Sequence, residues 1–255
     1  MNHEPTPKKE QNEVVAVIIE VRMTSTRLPG KHLLECRGET MISRLIRRIK
    51  AIDNVDKIII ATTKNSTDDV FVEIARKEGV EVFRGSEPDV MGRVLDAALT
   101  NDVSIICEVT GDCPLIDVSQ TQEAIHIFLQ NNFDYLNNGL SGLPDGLGCQ
   151  VFSTSALKNS YNSDITELDK EHVTSHMKRN PKKYRSHYIE TPQQLSWPEL
   201  SLSLDEATDY EVLSSIINEI EPKDPLFGTN RIIEFFNAHP DLLSKNLEIY
   251  RRGFE

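Results

Sequence analysis

Apolar positions along this 255-residue chain fall into short runs and helical stripes that take turns. The first run, 14–21, is rich in β-branched residues and does not alternate with polar ones, which predicts a parallel strand buried on both faces. Met41, Leu45, Ile46 and Ile49 recur at helical spacing, with Arg44, Arg47, Arg48 and Lys50 expected on the solvated face of that helix. Lys57–Thr63 reads as the second strand, and Asn65-Ser66 opens a helix with Asp68 and Asp69 in its first turn. Further strands are expected at 80–83, 103–109, 150–153, 187–191 and 202–204. Helices are expected over 89–99, 167–177 and 210–220, and another from Asp117, where Asp117-Val118-Ser119-Gln120 resembles a capping box. Strands and helices in alternation predict an α/β fold, a mostly parallel sheet covered by helices. The rhythm breaks in the middle, at about 140–190.

Composition narrows the function classes. Forty acidic residues against 28 lysines and arginines give a net charge of −12, a field that repels nucleic acid and anionic membranes. No apolar run reaches the ~20 residues needed to span a bilayer. Residues 1–13 are polar and read as a disordered tail with no signal peptide, leaving 14–255 as one domain in a cytoplasmic protein. Cys36, Cys107, Cys113 and Cys149 form no C-x-x-C pair, so they are expected reduced and mostly buried, with no zinc spacing.

Against this acidic background, the segment after the first run is basic. Arg22, Thr24, Ser25, Arg27, Pro29-Gly30 and Lys31 leave the carboxyl end of the first strand, where open α/β sheets place anionic ligands. Three cations within ten residues suit a triphosphate; the alternative is a solvated basic loop. The spacing fits neither the P-loop nor the dinucleotide fingerprint, so phosphate would be held by Arg and Lys side chains with loop amides. Gly111 and Asp112 end another strand, where a carboxylate facing phosphates is a natural Mg²⁺ ligand or simply shapes a turn. Asp205 follows a strand signal as well, and an ordinary helix cap competes with metal binding there.

The segment RMTSTRLPGK (22–31) resembles the loop of the cytidylyltransferases that activate sugar acids, relatives of CMP-Kdo synthetase and acylneuraminate cytidylyltransferase. IIIATT (58–63), VFRGSEPDVMGR (82–93), VTGDCPLID (109–117), LPDGL (143–147), KEHVT (170–174) and LDEATD (204–209) follow in the order of that family, and the spore-coat-polysaccharide branch is the nearest in pattern. The resemblance implies a Rossmann-like nucleotidyltransferase fold with a small inserted arm at about 140–190 that covers the acceptor and pairs two subunits as a homodimer. It implies CMP transfer from CTP to a sugar acid, with Mg²⁺ on Asp112 and Asp205. Arg22, Lys31 and Asp112 would be catalytic, with Lys31 and Arg27 on the β- and γ-phosphates. Thr24, Ser25, Thr62, Thr63, Arg84 and Gly111 would complete the nucleotide site.

On the acceptor side the resemblance points to Asp145, Gln150 and His172, although a helix-surface reading of His172 stays open. Relatives read like DGLDVEVF where this chain has DGLGCQVF, so Gly148 and Gln150 each stand in place of an acid. A neutral amide would tolerate a more anionic acceptor, including a phosphate or phosphonate compound. Use of another nucleoside triphosphate and a non-catalytic nucleotide-binding role are the remaining alternatives. A glycosyltransferase is disfavoured because no D-x-D stands near the strand ends.

Overall fold

The computed structural model describes residues 13–140 and 142–248, so the tail expected at 1–13 lies outside the described residues apart from Glu13. The first strand, β1 (Val15–Glu20), sends Val15, Val17 and Ile19 into one core and Ala16 and Ile18 into another. Burial on both faces is why its sequence lacks alternation. A small antiparallel ribbon, β2 (Glu35–Cys36) and β3 (Glu39–Thr40), leads into α1 (Met41–Ile49). Then come β4 (Lys57–Thr63), α2 (Asp69–Glu78), β5 (Glu81–Gly85), α3 (Val90–Thr100), β6 (Ile105–Thr110) and α4 (Val118–Gln130). These strands pair in parallel in the order β5-β4-β1-β6, so all four carboxyl ends open on the same side.

The segment that breaks the rhythm extends this sheet. Just before it comes β7 (Tyr135–Asn137), and it holds β8 (Gln150–Ser153), α5 (Thr154–Tyr161), α6 (Glu167–Glu171), α7 (Ser175–Arg179) and β9 (Ser186–Tyr188). Strand β8 runs antiparallel to β6 and β7, which makes seven strands in all, ordered β5-β4-β1-β6-β8-β7-β9. The single helix expected over 167–177 is two short ones. His172 leaves helical geometry at φ −113° and ψ 82°, and buried Thr174 turns its hydroxyl onto Gln150.

Three helices end the described residues: α8 (Ala207–Ile220), α9 (Thr229–Ala238) and α10 (Pro240–Leu247). Their apolar faces form a third core with Leu115, Leu147 and Leu202. The strand expected at 202–204 is absent. Leu202 and Leu204 are buried, but their amides bond the loop carbonyls of Asp145 and Asp112 in place of a neighbouring strand.

Two of the three arginines of α1 do not face solvent as expected. Arg44 and Arg48 have no exposed surface. Arg44 pairs with Glu221 at 3.0 Å, and Arg48 donates to the carbonyls of Ile116 and Phe227 at 2.9 and 2.6 Å. They clamp the C-terminal helices onto the sheet domain, and burial lowers Arg48 to about 10. All four cysteines are free and buried. Among the described residues no helix is long and apolar enough to cross a membrane.

Candidate active site

The carboxyl ends of β1 and β6 border a cleft of about 730 Å³, within the ~300–1,000 Å³ usual for ligand pockets. The basic loop forms its rim. Gly30 adopts a left-handed conformation (φ 70°), which costs a glycine little, and the chain then enters a short 3₁₀ turn at Lys31–Leu33. Asp68 accepts the Met23 amide at 2.9 Å and Glu87 accepts the Thr24 hydroxyl at 2.7 Å, so the loop is held from α2's side and from the segment before α3.

Lys31 is the centre of the arrangement. Its side chain is 9% exposed, and Nζ lies 2.7 Å from Asp112 Oδ2 and 2.9 Å from Asp205 Oδ1. Arg27 reaches the same Asp205 oxygen at 2.8 Å. Burial pushes the Asp112 carboxyl up, but the Lys31 ammonium and a hydrogen bond from Thr110 outweigh it and hold Asp112 at about 2. Burial works against the Lys31 charge too, and the two carboxylates reverse that and raise its pKa. Arg27 and Lys31, expected on phosphates, are thus committed to carboxylates in the free protein. Asp205 is not the cap of α8. That cap is Glu206, boxed with Asp209, whose carboxylate takes the Asp205 and Glu206 amides.

The other expected residues divide. Arg22, Thr24, Ser25 and His172 line the cleft with Lys31, Asp112 and Asp205. Thr62 and Thr63 have no exposed surface; both hydroxyls go to Asp68, at 3.0 and 2.6 Å, so they brace the residue that holds the loop. Arg84 is absorbed by the carbonyls of Thr63 and Asn65 and by Asp69. At Gly111 an added Cβ would fall 2.2 Å from Cγ1 of Val21, the residue that follows β1. The Gly111 carbonyl takes the proton of His32 Nδ1 at 3.0 Å.

Asp145 and Gln150 lie in a separate side pocket of about 220 Å³, which shares Thr110 with the cleft. Gln150 is fixed in orientation. Its carbonyl accepts from Tyr135 and Thr174, each at 2.7 Å, so its amide must donate to Glu108, at 2.9 Å. A glutamate at 150 would oppose Glu108 as a like charge, a physical reason for the amide. Gly148 is equally constrained, since an added Cβ would fall 2.8 Å from Gly139 Cα.

Sequence reasoning missed Glu20, Arg93 and Glu108. Among the described residues Glu20 Oε1 and Arg93 Nε are buried without a partner, and both residues line the cleft. Burial, then the adjoining Glu108 carboxyl, raises Glu20 well above the ordinary carboxyl range, and burial raises Glu108 as well. The signal was present, because Glu20 and Glu108 are charged residues set in otherwise apolar strand runs.

Two oxygens from different segments on one ammonium are already gathered for a single cation. Hard carboxylate oxygens suit Mg²⁺, which takes one or two carboxylates and fills its shell from phosphate and water. No cluster of three or more potential ligands occurs among the described residues, so such an ion would depend on a phosphate ligand.

A profile of the cytidylyltransferase family matches residues 16–210. An uncharacterized protein of Methanocaldococcus jannaschii is 30% identical over 239 residues, 93% of this chain and 96% of its own length. The spore coat polysaccharide biosynthesis protein SpsF of Bacillus subtilis is 29% identical over 238 residues, 89% of this chain and 95% of its own. The structure of a cytidylyltransferase from Leptospira borgpetersenii superposes with a TM-score of 0.86 at 31% identity, covering 94% of this chain and 100% of that one.

Proposed function

The chain belongs to the cytidylyltransferase family and is by that membership a nucleotidyltransferase, and from this premise we propose that it transfers CMP from CTP to a sugar acid with Mg²⁺, in the cytoplasm, for surface-glycan synthesis. The observation that carries the reading is the Lys31 ammonium drawn between Asp112 and Asp205 at the end of the basic loop. The likeness to a polysaccharide-synthesis protein supports the glycan context.

In the proposed reaction an acceptor oxygen attacks the α-phosphorus in line. Its new bond forms as the bond to the β-phosphate oxygen breaks, and pyrophosphate leaves with that electron pair. The chain contributes position and charge, with no covalent intermediate. Triphosphate oxygens arriving at the loop would take over Lys31 and Arg27 from their carboxylate partners, with exposed Arg22 meeting the α- and β-phosphates. Asp112 and Asp205, released from those cations, would hold Mg²⁺, which when bound neutralises phosphate charge. The unpaired Arg93 Nε and Glu20 Oε1 would gain partners from the nucleoside. His172, exposed on the cleft wall, would face the acceptor. Leu140, Leu168 and Tyr188, exposed at 63%, 56% and 41%, support a homodimer formed through the 140–190 segment.

Phosphorus NMR of the protein with CTP, Mg²⁺ and a panel of sugar acids and neutral sugars tests the reading. A CMP phosphodiester and pyrophosphate formed with an acid are the expected products. Preference for another nucleotide, or for neutral sugars over acids, would overturn it.

A further inference from the structure

The side pocket contains a cation with no ion pair among the described residues. Lys178 lines it half-buried, and its ammonium has no hydrogen bond or ion pair among the described residues; its nearest aromatic contact is the Tyr135 ring, 5.9 Å away. Several of the pocket's other polar groups hold hydrogen bonds among the described residues, exposed Asp145 through one of its two carboxylate oxygens. Asp145 Oδ2 accepts from Ser201, Asn137 Oδ1 accepts the Gly139 and Leu140 amides, and Gln150 is held at both ends. Glu108 draws on the ammonium electrostatically, and burial raises both it and the adjoining Glu20 above the ordinary carboxyl range. Burial accordingly lowers Lys178, which marks a charge short of counter-ions.

A partly desolvated ammonium facing an open pocket is stabilised when a ligand brings the missing negative group. The neutral amide of Gln150 in the same pocket adds a hydrogen-bonding group without adding a negative charge. Thr110 joins this pocket to the cleft, so a ligand seated here lies next to the nucleotide site. We propose that Lys178 binds the carboxylate of the acceptor, and that the acceptor's hydroxyls lie along Gln150 and Glu108 toward Thr110. The proposal rests on the reading of the chain as a sugar-acid cytidylyltransferase, and it names the residue that selects acid over neutral acceptors.

The test is a ligand-observed NMR titration of the whole protein with 3-deoxy-manno-octulosonate and with its neutral C1 carboxamide as probes. Wild type, Lys178→Met and Lys178→Arg are compared, and a CTP thermal shift is recorded for each. The wild type should bind the acid at least roughly tenfold tighter than the amide, as a charge-assisted hydrogen bond implies. Lys178→Met should bind both alike, Lys178→Arg should keep part of the preference, and the CTP shift should be the same in all three. An acid preference that survives in Lys178→Met, or a wild type that binds neither probe or both equally, overturns the proposal. Loss of the CTP shift in the wild type strikes the cytidylyltransferase reading instead, and the probe titration still decides the role of Lys178. If Lys178→Met fails to fold, the wild-type preference and the arginine variant decide.

Discussion

Asp112 and Glu108 stand four residues apart on β6 and its following turn, yet they are neutralised in opposite ways. Asp112 is matched by an ammonium and stays ionised, with its carboxyl held at about 2. Glu108 is matched by another carboxyl, Glu20, and both are pushed toward the protonated form. The sites accordingly differ in what they can accept. In the cleft a phosphate would have to compete for Lys31 and Arg27, which are paired with Asp112 and Asp205. In the side pocket Lys178 has no ion pair to give up among the described residues, and burial raises the carboxyl pair near it above the ordinary range. Under the proposed function, one end of one strand would thus serve a polyanion with its metal on one side and a singly charged ligand on the other.

Removing the ammonium from the cleft breaks the comparison most severely. Lys31→Met should lower turnover by ~10²–10³, the loss seen when one transition-state donor is removed. The same variant leaves Asp112 and Asp205 without that cation, so free Mn²⁺ should bind it more tightly than wild type in electron paramagnetic titrations without nucleotide. Unchanged turnover together with unchanged Mn²⁺ affinity would refute the role given to Lys31.

On the other side, Gln150→Glu sets a carboxylate against Glu108 and removes a donor from it. About 1–3 kcal/mol of stability should be lost at neutral pH, the cost of an unsatisfied buried polar group. Urea unfolding should show that loss shrinking as the pH falls and the carboxyls protonate. A pH-independent loss would point to packing alone.

The smallest effect is in the wild type, where the two groupings have opposite pH signs. Asp112 is depressed below 3.8, so its contribution to stability is complete above that value and is lost as the pH falls toward about 2. Glu20 and Glu108 are raised above 4.5, so they favour the folded state in acid, and stability declines as the pH climbs above 4.5 toward their folded values. Unfolding curves of Glu20→Gln should therefore lose part of the decline above pH 4.5 while keeping the acid limb. Loss of the acid limb in that variant would mean the assignments are reversed.

How much of this was legible in the sequence depended on how far each residue had to reach. Local signals held. Strands β4 and β8 stand where their apolar runs placed them, and Asp117 caps α4 through the Ser119 and Gln120 amides. Asp112 and Asp205 were named separately at two chain positions, but their meeting on Lys31 spans 81 and 174 residues, beyond any spacing rule. Arg44 and Arg48 looked solvated because Glu221 and Phe227, which hold them, lie in the turn between α8 and α9, far along the chain. Thr62 and Thr63 have the right residue type at a strand end, but their hydroxyls turn inward to Asp68. Lys178 could not be singled out, because a lysine on a short helix says nothing about the counter-ion it lacks.

The central claim is that the cleft at Arg22–Lys31 is a site for CTP with Mg²⁺ held by Asp112 and Asp205. A thermal-shift panel of CTP, UTP, ATP and GTP, each with and without Mg²⁺, tests it most directly in wild type and Asp112→Asn. A selective CTP shift that Mg²⁺ enlarges is expected, equivalent to about 2.7 kcal/mol at a hundredfold excess over Kd, with the Mg²⁺ enhancement gone in Asp112→Asn. Equal shifts from all four nucleotides, no shift from any, or an undiminished Mg²⁺ effect in Asp112→Asn would contradict the account.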